Sequence, residues 1–346
     1  MNYLNLLEEA YELDEMSEAR LPLLEEVIRE ADLARDIETA VEARWLLIDT
    51  CLYVGFPKKQ LIAFSWLINL YESSEGKVDV FDLLWHYKWI AEHIVRFPEV
   101  SLSKINALTE DMQKKFKEYN YSLRPYYKVK TLQAISMGNR AMANEFFPLW
   151  QGTKSDFMND CLACETTEIV AYYHFIGDYQ AAIKAAAPIL AGRQACAEVP
   201  HLTYGHTALS YYHLNKREEA QNSFELGYPM VKKRISLLTT VSQFITYLLL
   251  IDNQQEAVQV YQENQKIASE LEGDLSTLHF YLASAGLKHE KQEDCLAQAT
   301  TLAQKFDKRN QNTYYQNILA KCSKNKQIKI RRKIDKRGLF DGKNWK

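Results

Sequence analysis

Glycine and proline are scarce, 12 and 8 in a chain of 346 residues. That scarcity argues against turn-dense β architectures and suits an almost wholly helical chain. Long apolar runs are missing as well. Phe244–Ile251 is among the longest, at eight residues, whereas a bilayer span needs roughly 20. The N-terminus runs from Met1-Asn2-Tyr3-Leu4 into Glu8-Glu9, without the positive start and apolar core of a signal peptide. Six cysteines in so large a chain do not make a secreted disulfide scaffold, so the expected location is the cytoplasm. No glycine-rich phosphate loop, His-Glu-x-x-His motif, nucleophile elbow or helix-turn-helix is present, and no enzymatic activity is expected.

What is present is helical and repetitive. Around Gly177-Asp178-Tyr179, large residues (Val170, Tyr173) precede the turn, and small ones (Ala182, Ala186, then Ile189) follow it at helical spacing. An alanine where two antiparallel helices cross lets them approach, while tyrosine and leucine fill the space between successive pairs. The pattern returns with Tyr211, Asn215, Ala220 and Phe224, then with Leu248, Asp252, Ala257 and Tyr261, and more faintly around Gly286 and Cys295. Ala182, Ala220, Ala257 and Cys295 are equivalent places, separated by 38, 37 and 38 residues. Upstream, Tyr127, Thr131, Ala134, Gly138 and Ala143 form another copy. Earlier still, Phe56-Pro57 and Phe97-Pro98 stand 41 residues apart, each ahead of a helix.

This pattern resembles the tetratricopeptide repeat, with each unit a few residues longer than the usual length of about 34. The resemblance implies an all-α, right-handed superhelical solenoid of helical hairpins over residues 1–308. Repeats in 1–120 are degenerate and those in 121–308 clearer. Residues 309–346 are then a capping helix, near Asn312–Cys322, and a basic tail. From Lys321 to Lys346 there are eleven Lys or Arg against Asp335 and Asp341. Between Glu8 and Glu38, by contrast, twelve acidic residues face only Arg20, Arg29 and Arg35.

Half of the cysteines fall around the clearest hairpin. Cys161 and Cys164 immediately precede its first helix, and Cys196 follows its second, in the loop leading to Pro200-His201. Both ends lie at one rim of an antiparallel pair. Cys161, Cys164, Cys196 and His201 can therefore converge as a Cys3His set for a structural zinc ion, with Asp160 and His206 as substitute fourth ligands. Two other readings stand beside this one: a redox-responsive thiol pair, and small buried residues without a shared role. The stretch also resembles an uncharacterised group of bacterial tetratricopeptide-repeat proteins. There, Asp-Cys-x-x-Cys precedes a hairpin that is followed by Leu-x-Gly-x-x-x-Cys and a proline, matched here by Asp160, Cys161, Cys164, Leu190, Gly192, Cys196 and Pro200. That likeness brings no activity, but it implies that the cysteines act together. Cys51, Cys295 and Cys322 read as core or bystander residues.

In this architecture the first helices of successive repeats line a concave face. Tyr172, His174, Tyr212, His213, Thr246 and Tyr281 are the residues expected to form a polar-aromatic groove for a peptide, with interhairpin packing as the competing reading. His86 and His93, on a helix with Trp85, Trp89 and Glu92, read as packing histidines or a second binding face. The leading expectation is a protein- or peptide-binding adaptor or sensor; the alternative is nucleic-acid association through Lys324–Lys346. No membrane partner is expected, and the oligomeric state is not fixed by the sequence. Truncation before Lys324 separates the two functions. On the leading reading, peptide binding followed by fluorescence anisotropy survives it. Salt-dependent DNA or RNA binding that disappears with the truncation supports the alternative.

Overall fold

The computed structural model describes residues 2–74, 76–271 and 274–321; the basic tail and Cys322 lie outside them. Every regular element among the described residues is a helix, and the sole bridge of β type joins Cys196 to Val199. None of these helices is long and apolar enough to cross a membrane.

The first part of the chain folds as α1 (Tyr3–Glu12), α2 (Arg20–Ala34), α3 (Ile37–Val54), α4 (Pro57–Ser73), α5 (Val80–His93) and α6 (Leu102–Glu118). Five hairpins follow: α7 (Arg124–Ser136) with α8 (Arg140–Gly152), α9 (Leu162–Phe175) with α10 (Tyr179–Leu190), and α11 (His201–His213) with α12 (Arg217–Val231). Then come α13 (Leu238–Leu250) with α14 (Gln254–Glu270) and α15 (Leu275–Ser284) with α16 (Gln292–Asn310). A last helix, α17, spans 314–321. Helix α5 stops at His93 and becomes a 3₁₀ turn, Ile94–Arg96. Pro98 keeps Phe97 extended, which ends the helical ladder there.

The four hairpin turns from α7 to α14 share one device. A residue in the left-handed region ends the first helix: Gly138, Gly177, Asn215 and Asp252, with φ of 68°, 78°, 61° and 65°. The next N–H then reaches back to a carbonyl of the last turn: Asn139 to Ala134 (2.8 Å), Asp178 to Tyr173 (3.0 Å), Lys216 to Tyr211 (2.9 Å) and Asn253 to Leu248 (2.9 Å). Glycine, asparagine and aspartate reach that region at the least cost. Asn139, Asp178 and Asn253 then cap the following helix through their side chains, a contribution of about 1 kcal/mol each. Ala143, Ala182, Ala220 and Ala257 are fully buried at the crossings, and Cys295 almost so.

The apolar core is uneven. The first six helices bury a large cluster that includes Leu24, Ile48, Phe64, Tyr87 and Phe116, and the segment from α11 to α16 buries another around Phe224, Phe244 and Leu248. Between them the α9–α10 hairpin crosses over two small groups, Ala163, Ile189 and Val199, and Val170, Ala182 and Ala186, while Tyr172 packs back onto Phe147 and Trp150 of α8.

Contacts distant in sequence bring the last hairpin against the first half of the chain. The buried Arg309 donates to the carbonyls of Val95 (2.7 Å), Phe97 (3.0 Å) and Val100 (3.3 Å). Arg96 grips Asp274 through two nitrogens, at 3.1 and 2.5 Å, and reaches Ser276 at 2.8 Å. Tyr315 donates to the Ser136 carbonyl at 2.5 Å. A Cβ on Gly138 would stand 2.1 Å from the Tyr314 ring, so the α7–α8 turn has no room for a side chain there. Neighbour-only stacking, the simplest expectation for a repeat array, contains no such pairs.

Replacing Arg309 by Met removes the guanidinium donor from the carbonyls of Val95, Phe97 and Val100, the first two of these bonds being buried. Urea denaturation should show a loss of about 3 kcal/mol. The exposed Arg29→Ala should leave the midpoint unchanged.

Candidate metal centre and its charged support

Cys161 is the N-cap of α9. Its backbone is extended (φ −63°, ψ 154°), and its Sγ accepts the N–H of Cys164 at 3.4 Å. Cys164 sits one turn further on, half-buried against Ala163, Ile189 and Val199. Cys196 comes from the loop between α10 and α11, where it exchanges two backbone hydrogen bonds with Val199 (3.1 and 3.2 Å). Glu198, within that tight turn, accepts from Ser236 Oγ at 2.8 Å and Arg234 at 3.3 Å, which ties the loop to the next hairpin. The two rims therefore meet. All three sulfurs lie within 4.8 Å of one another, and among the described residues this is the sole cluster of three or more His, Cys, Asp or Glu ligand atoms so close. The three cysteines are free thiols, Cys161 and Cys196 exposed.

His201 does not join this group. It opens α11, and its Nδ1 is buried without a hydrogen-bond partner. Burial and the nearby Arg234 hold its ring below the usual imidazole range. The substitute fourth ligands have other employment. His206 lies on the inner side of α11, where the Gln243 amide approaches its ring nitrogen at 3.1 Å. Asp160 is committed to lysines, as described next.

Lys88 on α5 is fully buried and Lys128 on α7 nearly so, and both turn to Asp160. Lys88 meets one carboxylate oxygen at 2.8 Å, donates to the Met158 carbonyl at 2.9 Å and lies 3.4 Å over the Trp85 ring. Lys128 takes the other oxygen, with Glu168 at 3.1 Å and Glu92 at 3.5 Å. The Trp89 indole N–H also donates to Asp160, at 3.2 Å. Burial alone would raise the Asp160 carboxyl, but the two ammonium groups more than offset this and hold it well below its ordinary value. Three carboxylates share two cations, and burial raises both Glu92 and Glu168. Burial, then Glu92 and Asp160, outweigh Lys128 and push Glu168 up to about 8, with its Oε2 left unpaired. Glu168 lies one turn beyond Cys164 on α9 and helps raise that thiol, whose largest perturbation is burial. Cys161 is the opposite case. Burial raises it, but hydrogen bonds from the start of α9 and from its sulfur neighbours win and lower it.

The expected groove residues have partners close by. Tyr172 is buried, stacked on Phe147 at 3.6 Å, and His174 pairs with Ser210 at 2.9 Å. Tyr212 donates to the Leu250 carbonyl at 3.2 Å, and His213 stacks on Tyr179 at 4.3 Å. Thr246 returns its hydroxyl to the Ser242 carbonyl at 2.9 Å, and Tyr281 leans on Phe280. His86 bridges the Asp82 carbonyl and Asp49, while His93 meets Gln60. Cys51 and Cys295 are buried.

Sequence reasoning passed over Lys88 and Lys128. A signal was available: Lys88 shares the buried face of α5 with Leu84, Tyr87 and Ala91, where a lysine needs a counter-charge. The chain matches no known protein family, and no curated protein resembles it.

The raised Glu168 carboxyl fixes a sign. Its folded value exceeds the unfolded one, so the folded state binds more protons across the interval, and its contribution is lost as pH rises from about 4.5 to about 8. Thermal melts of Glu168→Gln should therefore fall less steeply over that window than those of the wild type. Parallel pH profiles would contradict the assignment.

Proposed function

We propose that this chain is a tetratricopeptide-type binding scaffold, a right-handed superhelix that holds a protein or peptide segment on its concave face, with a zinc ion stapling the rim of the central hairpin. Its role is binding rather than catalysis. Peptide contacts would come from polar and aromatic side chains of the first helices, His174, Tyr212, His213, Thr246 and Tyr281 among them; Tyr172, buried against Phe147, serves packing instead. In support of the repeat reading, one turn device recurs from α7 to α14, with fully buried alanines at the crossings.

The observation that carries the staple is the meeting of Cys161, Cys164 and Cys196 at the rim of the α9–α10 hairpin. The donor set fits zinc: three soft sulfurs, two from a Cys-x-x-Cys turn at a helix N-terminus. Sulfurs on a zinc ion at about 2.3 Å stand roughly 3.8 Å apart, a spacing that thiols already within 4.8 Å of one another can adopt by rotation. The fourth position falls to His201 after a ring movement, or to a solvent molecule. Bound zinc would join the α9 rim to the 191–200 loop and keep adjacent repeats in register.

Elemental analysis of purified protein tests this directly. The expected result is about one zinc per chain, lost in Cys161→Ser along with a fall of several degrees in Tm. Metal-free, fully reduced protein with an unchanged Tm after chelator treatment would discard the staple.

A further inference from the structure

We propose that Cys161 and Cys164 form a hydroperoxide-reactive pair, in which Cys161 is the attacking thiol and Cys164 the resolving one. This goes beyond the zinc reading, because it needs only the two sulfurs and their helix. Three observations carry it. Cys161 is exposed, so a small peroxide reaches its sulfur. The Cys164 N–H points at that sulfur from 3.4 Å, an arrangement that favours negative charge on it at the opening of α9. Cys164 stands one turn behind, on the same helical turn and within 4.8 Å, so side-chain rotation suffices to bring the two together. Cys196 meets the distance limit too, but it reaches Cys161 from a separate loop, held by the reciprocal pair with Val199 and by the grip on Glu198, whereas Cys164 shares its helix.

The chemistry balances with the peroxide as sole oxidant. The Cys161 thiolate attacks one peroxide oxygen, the O–O bond breaks, and a sulfenic acid forms as the alkoxide leaves and is protonated to the alcohol. The Cys164 sulfur then attacks the sulfenic sulfur, and the hydroxyl departs as water with the proton of the Cys164 thiol. Two electrons pass from the sulfur pair to the peroxide, and one disulfide, one alcohol and one water result. Two of the three sulfurs are then spent. Cys196 remains a lone thiol, and the 191–200 loop is held to its surroundings by Glu198, its internal backbone pair and its short apolar contacts. Oxidation thus unfastens the rim that the three thiols would otherwise hold through a metal.

The full chain, reduced and freed of small thiols, is treated with equimolar hydrogen peroxide, with and without prior zinc loading. Remaining thiols are alkylated, and the protein is mapped by mass spectrometry. The expected product has lost two hydrogens and yields a peptide with Cys161 linked to Cys164. Cys161→Ser should slow thiol loss about tenfold or more. Cys164→Ser should leave a sulfenic acid on Cys161 that dimedone traps. A bond from Cys161 to Cys196, over-oxidation without a disulfide, or unchanged kinetics in Cys161→Ser would overturn the proposal. The wild-type map decides even if a variant folds poorly. If the bond forms in protein that never takes up zinc, the staple falls and this pair stands; if zinc binds and no bond forms, the reverse holds.

Discussion

Asp160, held between two buried lysines, is the contact on which the middle of this molecule depends. Lys88 comes from α5, Lys128 from α7, and Asp160 directly precedes the cap of α9, so one carboxylate joins three helices. Removing such ions from water is costly, and a pair of this kind holds only when every partner is in place. Here the indole of Trp89, the Met158 carbonyl and the face of Trp85 complete the set. The consequence is positional. The residue after Asp160 is Cys161, and its place at the opening of α9 is set by charges that apolar packing could not replace without losing direction.

The same middle region is joined through small side chains. Large clusters flank it on both sides, while α9 and α10 meet over alanines. Polar joints take over there: the lysine–carboxylate group at one end of α9, the thiols beside it, and Glu198 reaching to Arg234 and Ser236. Further along, Arg96 with Asp274 and Arg309 with three carbonyls draw the last hairpin onto the first half. The chain is thus a row of locally determined hairpins, packed on one another through apolar clusters and tied at a few points by buried arginines and lysines. A bound segment on the proposed concave face would lie among these groups, and several of the side chains expected to contact it already serve the neighbouring hairpin.

Much of this was legible before any coordinates. A helix ending in Gly, Asn or Asp, followed by a capping residue and an alanine a turn later, writes each hairpin into a short stretch, because the left-handed residue, the cap and the crossing are all local requirements. The convergence of Cys161, Cys164 and Cys196 could be read for the same reason: an antiparallel pair returns its second end to the rim of its first. The absence of His201 from the cluster could not, since ring direction depends on the 191–200 loop, where no periodic pattern guides the reading. Lys88 and Lys128 could be suspected from their helical faces, but their shared partner lies 72 and 32 residues away, and nothing local announces it. The Arg309 contacts, more than 200 residues apart, have no sequence signature at all.

X-ray absorption at the zinc edge of the loaded protein tests the central claim most directly, because it counts sulfurs around the ion without reference to activity. The account predicts three sulfur neighbours at about 2.3 Å and one nitrogen or oxygen at about 2.0–2.1 Å. A shell of light atoms alone, or a sulfur count unaffected by removing Cys196, would show that the three thiols do not share a metal.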